Sequence, residues 1–226
     1  MQERIETART GKRDAAGSRQ LLLASARAAF AAKGLMGARV EEIARRAGLN
    51  KQLVYHYFGS KDDLYLAVLE RVYGEIREQE RRLSLADLPP DEAMAKLVLF
   101  SFDYLAAHPE FIALLNDENA QGARHVQRAR RLHEMHSPLI QLLRRTLSQG
   151  AAAGLFRNDI DPLQLYVSIA GLAYFYFSNN HTLSAIFGRD LASPRAIAAR
   201  RRHVLDFVMA ALAAKRRTNG GATRHG

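Results

Sequence analysis

Apolar residues recur three and four positions apart along nearly the whole chain, and no stretch alternates long enough to read as a strand. Leu22, Leu23, Ala26, Ala29 and Phe30 keep the helical spacing from Ser18 until Gly34 stops it. Val40, Ile43, Ala44 and Ala47 repeat it in a shorter segment, which Gly48 can end by taking a left-handed backbone. Leu49 is an apolar plug, and Asn50 is a good N-cap for a second short helix over 51–58. In that helix Leu53, Val54 and Phe58 turn partly inward, leaving Lys51, Gln52, Tyr55 and Tyr57 with no core to fill. A fourth helix opens at Ser60-Lys61-Asp62-Asp63, where Ser60 caps and two carboxylates sit at the positive helix end. It continues to about Leu83, and Pro89-Pro90 marks the clearest break.

Everything after Asp91 reads as helix: 92–107, 110–119, 122–135, a segment starting at Pro138, 163–179 and 193–214. The 163–179 helix is apolar nearly all round, from Leu165 through Ile169 and Ala173 to Phe177. Such a helix must be covered on every side. The helix after Pro138 carries a similar stripe. Two such helices from each of two subunits would form a four-helix interface, with Leu139, Leu143, Leu147, Tyr166 and Ile169 as the expected contacts. Burial of the apolar helix inside a monomer is the alternative.

Charge divides the chain unevenly. Residues 1–61 hold 12 Lys/Arg against 5 Asp/Glu, residues 62–194 hold 13 against 17, and residues 195–226 hold 8 against 1. The first basic block coincides with the two short helices, as an electrostatic footprint on phosphates should. The acidic middle argues against a nucleic-acid channel there. The last block reads either as a second DNA arm or as a solvated helix end and tail. Arg4, Arg9, Lys12 and Arg13 lie among small and polar residues, which suggests a flexible arm with a minor-groove or phosphate role left open. The chain has no cysteine, excluding disulfides and thiolate chemistry. No window reaches the roughly 18 apolar residues of a membrane span, and the charged start lacks a signal-peptide core. The expected location is the cytoplasm.

A short helix, a glycine turn and a second helix whose outer face carries donors follow helix-turn-helix logic, and DNA is the partner that face suits. Gly34-Leu35, Ile43-Ala44, Ala47-Gly48-Leu49, Leu53-Val54-Tyr55-His56-Tyr57-Phe58 and Ser60-Lys61-Asp62-Asp63-Leu64 resemble the DNA-binding module of TetR-type, tetracycline-repressor-like regulators. The likeness covers about residues 20–73 without a gap. It departs where the family has Thr or Ser at the start of the second helix and this chain has Ala38-Arg39, so Arg39 is a candidate phosphate contact instead.

The resemblance implies an all-α protein: an N-terminal three-helix helix-turn-helix domain and a C-terminal helical ligand-binding and dimerisation domain. The expected layout is an arm over 1–16, the DNA-binding domain over 17–61, a connecting helix over 62–88, the regulatory and dimerisation domain over 89–216, and a basic tail over 217–226. The implied function is sequence-specific regulation of transcription by a homodimer, as a repressor released from double-stranded operator DNA by a small-molecule effector. A constitutive or architectural DNA-binding dimer is the alternative. Expected DNA contacts are Arg39, Asn50, Lys51, Gln52, Tyr55, His56, Tyr57 and Lys61. Apolar walls with sparse polar groups suit a ligand pocket, for which Phe100, Tyr104, Asn116, Tyr174, Phe177 and His181 are candidates.

Catalysis and cofactors find no support in the pattern. His133-Glu134-Met135-His136 has one residue too few between Glu134 and His136 for the zinc-protease motif, so no metal is expected even with His125 two turns away. Asp117-Glu118-Asn119 and Asp159/Asp161 read as capping or turn acids. There is no glycine-rich phosphate loop and no nucleophile elbow.

Overall fold

The computed structural model describes residues 2–214, with side-chain positions from residue 16 onward except at 131, 133, 135, 136 and 137. Among the described residues the chain forms nine α-helices: α1 (Gln2–Gly37), α2 (Val40–Arg46), α3 (Gln52–Phe58), α4 (Lys61–Arg82), α5 (Pro90–Ala107), α6 (Pro109–Ala120), α7 (Arg130–Ala152), α8 (Pro162–Phe187) and α9 (Pro194–Leu212). Short 3-10 turns lie at Leu85–Asp87 and Val126–Arg128. The expected all-helical class is what forms.

Three elements differ from the sequence reading. The arm expected over 1–16 is helical from Gln2 onward, its side chains to residue 15 lying outside the described set. No proline interrupts that stretch, and Glu, Arg, Ala, Lys and Gln are strong helix formers. The helices expected over 122–135 and from Pro138 are one helix, α7, that starts only at Arg130. Gly122 and Ala123 take left-handed backbone (φ 70° and 58°), which keeps the chain out of helix there. Pro138 sits inside α7 on its exposed side, where its missing N–H removes one helical bond without disturbing the buried stripe of Leu132, Leu139, Leu143 and Leu147. Finally, α8 runs past Asn179 to Phe187, because Asn and Thr only weaken a helix and Gly188, at φ 61°, ends it.

The chain packs as two compact units. The first contains Met1–Arg82, Tyr104–Ser137 and Tyr176–Asn179; the second contains Leu83–Asp103, Pro138–Phe175 and Asn180–Gly226. In the first, α1 packs on α2, α4 and α6, and α3 packs on α2 and α4. Helix α6, which chain order assigns to the regulatory part, therefore belongs with the reader. The core joins Leu22, Ala26 and Phe30 of α1, Ile43 of α2, Val54 of α3, Leu64, Tyr65 and Leu69 of α4, and Phe111 and Leu114 of α6. Phe30 and Tyr65 meet edge to face at 5.1 Å, a favoured aromatic geometry. Arg27 on α1 pins two further helices, to Glu75 of α4 at 2.7 Å and Glu110 of α6 at 2.6 Å.

In the second unit the core is built from Met94, Leu97, Val98 and Phe102 of α5, Leu139, Leu143 and Leu147 of α7, Leu165, Ile169 and Ala173 of α8, and Val204, Val208 and Leu212 of α9. Phe156 lies where a side chain on Gly150 would stand, 2.0 Å from its ring, and pairs with Ala213 in an isolated bridge. The bridge is made by Arg157 N–H to the Leu212 carbonyl (2.9 Å) and Ala214 N–H to that of Leu155 (3.0 Å). Asp161 and Ser193 cap α8 and α9 by accepting from Gln164 and Ala196 N–H.

The residues expected as dimer contacts mostly pack inside the single chain. Leu139, Leu143, Leu147 and Ile169 are buried within the chain, and Tyr166 is half-buried. Exposed apolar residues in this unit include Leu163, Val167 and Phe175 along α8, with Gly171 between them, Ile186 and Phe187 at its end, and Phe207 on α9. The all-round apolar pattern of α8 hides which side turns inward. Packing of Leu165, Ile169 and Ala173 settles it.

Candidate DNA-binding surface

Helix α2 begins without a side-chain cap at Arg39, as the absent hydroxyl implies, and Arg39 is exposed. Its turn is closed by Gly48 at φ 68°, with Leu49 N–H donating to the Ala44 carbonyl at 2.9 Å. Asn50 then folds its side chain back to accept from Gln52 N–H at 2.9 Å, satisfying one of the unpaired donors that open α3. This capping role occupies the Asn50 carbonyl oxygen. Gly59, at φ 84°, ends α3, and Ser60 starts α4 with a reciprocal cap: Asp63 N–H donates to Ser60 Oγ (3.0 Å), and that hydroxyl donates to the Asp63 carboxylate (2.6 Å).

Only Val54 of α3 is fully buried, while Leu53, Tyr57 and Phe58 are half-buried. Gln52, Tyr55 and His56 stand exposed along one helix flanked by exposed Lys51 and half-exposed Lys61. Tyr57 rests edge-on against His56 at 5.0 Å. The guanidinium of Arg19 on α1 lies 5.0 Å over the Phe58 ring and ties the far end of α3 down. Lys51 Nζ is 3.2 Å from Glu41, whose carboxyl its own backbone N–H and then Lys51 hold below the usual carboxylate range. An exposed pair of this kind is readily exchanged for a phosphate. All eight expected DNA contacts lie in the first unit: seven on α3 or in the residues just before and after it, and Arg39 at the start of α2.

The six pocket candidates do not gather in one unit. Tyr104, Asn116 and Phe177 belong to the first, and Phe100, Tyr174 and His181 to the second. Tyr104 is buried against His108 (4.2 Å) and Phe111 (5.7 Å), with burial pushing its hydroxyl pKa up to about 12. Asn116 donates to Ser178 Oγ at 3.2 Å, and His181 is exposed. A charged groove of about 540 Å³ runs between α1 and α4, lined by Arg19, Glu70, Arg71, Glu75 and Arg82 among others. A smaller one of about 270 Å³ lies between α8 and α9, lined by Leu165, Leu172, Phe207 and Ala211 among others. None of the six lines either. Among the described residues no metal-binding cluster of His, Asp and Glu forms, and the side chains of His133 and His136 lie outside that set.

A polar cluster that spacing alone does not reveal sits behind the reader. Glu118, 4% exposed, accepts at one oxygen from His125 N–H (2.8 Å) and Val126 N–H (3.0 Å), and its other oxygen is 2.7 Å from His125 Nδ1. The buried His125 presents Nε2 to Asp62 of α4 at 3.3 Å and its ring to Tyr65 at 4.9 Å. Asp117 accepts from Leu35 N–H at 2.9 Å and from Gln121 Nε2 at 3.0 Å. Burial first, then Asp117, pushes the Tyr65 phenol well above its ordinary pKa.

Comparison with known proteins agrees with this geometry. Residues 22–68 match the family model of bacterial regulatory proteins, tetR family, and residues 90–208 match that of the tetracyclin repressor-like C-terminal domain. The chain is similar to the HTH-type transcriptional repressor NicS of Pseudomonas putida, 38% identical over 194 residues, which is 85% of this chain and 92% of that protein. It is 28% identical over 148 residues to the HTH-type transcriptional repressor KstR2 of Rhodococcus jostii, 64% of this chain and 71% of that one. Among solved structures, a putative transcriptional regulator from Streptomyces coelicolor, SCO4942, superposes with a TM-score of 0.66 at 26% identity, covering 86% of this chain and 98% of that one. FadR of Bacillus subtilis, solved with stearoyl-CoA, shares the fold at a TM-score of 0.67 and 16% identity over 85% of this chain and 98% of its own.

Proposed function

This chain belongs to the tetR family of bacterial regulatory proteins, and we propose that it is a homodimeric repressor that reads its operator with α3 and leaves it when a small molecule binds. As a member of that family it is a DNA-binding regulator of transcription. The observation that carries the reading is the outer side of α3. Gln52, Tyr55 and His56 project from a short helix whose inner side is held by Val54, flanked along the chain by Lys51 and Lys61, with Arg39 exposed at the start of α2. Side chains of this kind reach base edges in the major groove, while the cations meet phosphates.

Two α3 helices must stand roughly 34–36 Å apart to enter successive major grooves on one side of the duplex. The open apolar face of α8 and α9 is the surface by which we join two copies. Leu163, Val167, Gly171 and Phe175 follow one another at four-residue steps, and the groove beside Phe207 can receive a partner's side chain. Repression is the role carried by the names of NicS and KstR2. The match to a tetracyclin repressor-like C-terminal domain supports an effector site in the second part of the chain. No single described helix is long and apolar enough to cross a membrane, and we place the regulator with its DNA in the cytoplasm.

Selection of binding sites from random duplexes tests the reader. Gln52 can contact adenine through two hydrogen bonds, so Gln52→Ala should relax preference at a single position of each half-site, losing about 1–3 kcal/mol of discrimination. Lys61→Ala should weaken all sequences alike. An unchanged preference in Gln52→Ala removes that residue from the readout. The effector half is tested by thermal shift against a metabolite library, since a ligand that binds the folded state stabilises it in proportion to ln(1 + [L]/Kd).

A further inference from the structure

The last turn of α6 places two carboxylates side by side, and each holds a different end of the α2–α3 hairpin. Asp117 takes the entrance. Its carboxylate accepts from Leu35 N–H, the first residue beyond Gly34, and a Cβ at Gly34 would stand 2.5 Å from its Oδ1. Gly34 itself takes φ 64°, so the chain turns toward α2 with its backbone pressed on Asp117. Glu118 takes the exit through His125, whose Nε2 faces Asp62 on the first turn of α4, three residues beyond the glycine that ends α3.

Both contacts span the chain, Leu35 and Asp117 lying 82 positions apart and Asp62 and His125 lying 63 positions apart. Holding the 121–128 loop in shape accounts for the bonds from Glu118 to His125 and Val126 N–H. It does not account for the His125 ring reaching Asp62. A neutral imidazole owns one N–H, whereas contacts to carboxylates on both sides use two, so the Glu118–His125–Asp62 link is complete only with the ring protonated. The charged and titratable groups facing that ring are Glu118 of α6, Asp62 and Tyr65 of α4, and, through Asp62 at 3.6 Å, Arg124 of its own loop.

We propose that Asp117 and Glu118 are positioning residues for the reader: they set the two ends of the α2–α3 hairpin, and operator affinity depends on them without either touching DNA. The proposal rests on the DNA-binding function above and names the polar link by which α6 governs the angle of α3.

The test uses the full-length protein and its Asp62→Asn, Glu118→Gln and double variants. Each is titrated with the duplex selected by the wild type and with a scrambled duplex at one ionic strength, and its melting temperature is recorded. Electrostatics alone makes a clear forecast for Asp62, which is more than half exposed in the DNA-reading unit: removing its negative charge should tighten both duplexes. Positioning makes the opposite forecast for the operator. Asp62→Asn should lose about tenfold in operator affinity, with scrambled DNA bound as well as before or better. Glu118→Gln should add little in the Asp62→Asn background, because both act through His125. Parallel changes on the two duplexes, or losses that multiply independently, overturn the proposal. If Glu118→Gln does not fold, the sign of the Asp62→Asn effect still decides. A wild type that binds every duplex alike would overturn the DNA-reading function first, a result distinct from failure of the clamp.

Discussion

The two units use the same helical grammar and finish their surfaces in opposite ways. In the first, Leu21 and Met36 stand exposed, but many of the residues that the core does not take are polar and held in place: Arg27 bridges three helices, Asn50 and Ser60 cap, and Asp117 and Glu118 bind backbone N–H groups. In the second, residues that the core does not take include Val167, Phe175 and Phe207, each more than half exposed. A surface meant for DNA needs oriented donors and cations, whose geometry polar contacts secure. A surface meant for a second copy of the chain needs desolvated area, and apolar side chains in rows supply it. This contrast is the ground on which we assign a partner to each surface.

The strongest way to break that contrast is to place one carboxylate on each side of α8. Leu143 on α7 is 1% exposed, so Leu143→Glu buries an unpaired charge in the core of one chain and should cost several kcal/mol. The expected outcome is loss of the second unit's cooperative melting. Val167 is 55% exposed, so Val167→Glu should leave the far-ultraviolet dichroism and single-chain folding intact. It should turn dimers into monomers in sedimentation and abolish tight operator binding. Two folded monomers, or two intact dimers, would place the interface elsewhere.

The second way sharpens the contrast inside the first unit. Gly34→Ala forces a side chain onto a left-handed backbone and against Asp117 Oδ1 at 2.5 Å. Together these should destabilise the first unit by about 2–4 kcal/mol. Gly48→Ala keeps the backbone penalty (φ 68°) but meets nothing within 4 Å, so it should cost only about 1 kcal/mol. Denaturant melting of both variants measures the difference, which combines the close approach of Asp117 with the ψ of 174° at Gly34, a backbone region nearly closed to side chains. Equal losses would mean that the contact with Asp117 contributes nothing.

How much of this is legible in the sequence depends on distance along the chain. The reader is written locally: Gly48, Asn50, Gly59 and Ser60 each act within a few residues, so the caps, turns and outer face of α3 follow from short-range chemistry. The clamp is not, because Asp117 and Asp62 find their partners across more than sixty residues and no periodicity marks them. Helix α7 passes through Pro138 because an exposed proline costs one backbone bond while the leucine stripe on its other side continues. The interface side of α8 is illegible for a different reason. When every face is apolar, only the packing of neighbouring helices decides which one remains outside.

The smallest effect concerns a second place, besides Glu118 and His125, where the first unit buries charge. Arg77 and Glu80 on α4 are nearly inaccessible, with Arg77 Nη1 2.9 Å from Glu80 Oε2. Burial raises the Glu80 carboxyl from 4.5 to about 7, and the attraction of Arg77 only partly opposes it. The unfolded chain therefore releases this proton at lower pH than the folded one. The stabilising contribution is fully present below about 4.5 and is lost as pH rises through about 7. Glu75 and Glu110 work in the opposite sense: against their burial, Arg71 and Arg27 hold Glu75 low, while Glu110's own backbone N–H and Arg27 hold Glu110 low, so both stabilise more once ionised. Their effect is complete near the bottom of the Glu80 window. Glu80→Gln keeps the size and removes the proton. Its melting temperature should match that of the wild type near pH 5 and exceed it at pH 8, by a margin on the order of 1–2 kcal/mol. Parallel curves for the two proteins would show that Glu80 is ionised in the folded state throughout, paired to Arg77 as an ordinary salt bridge.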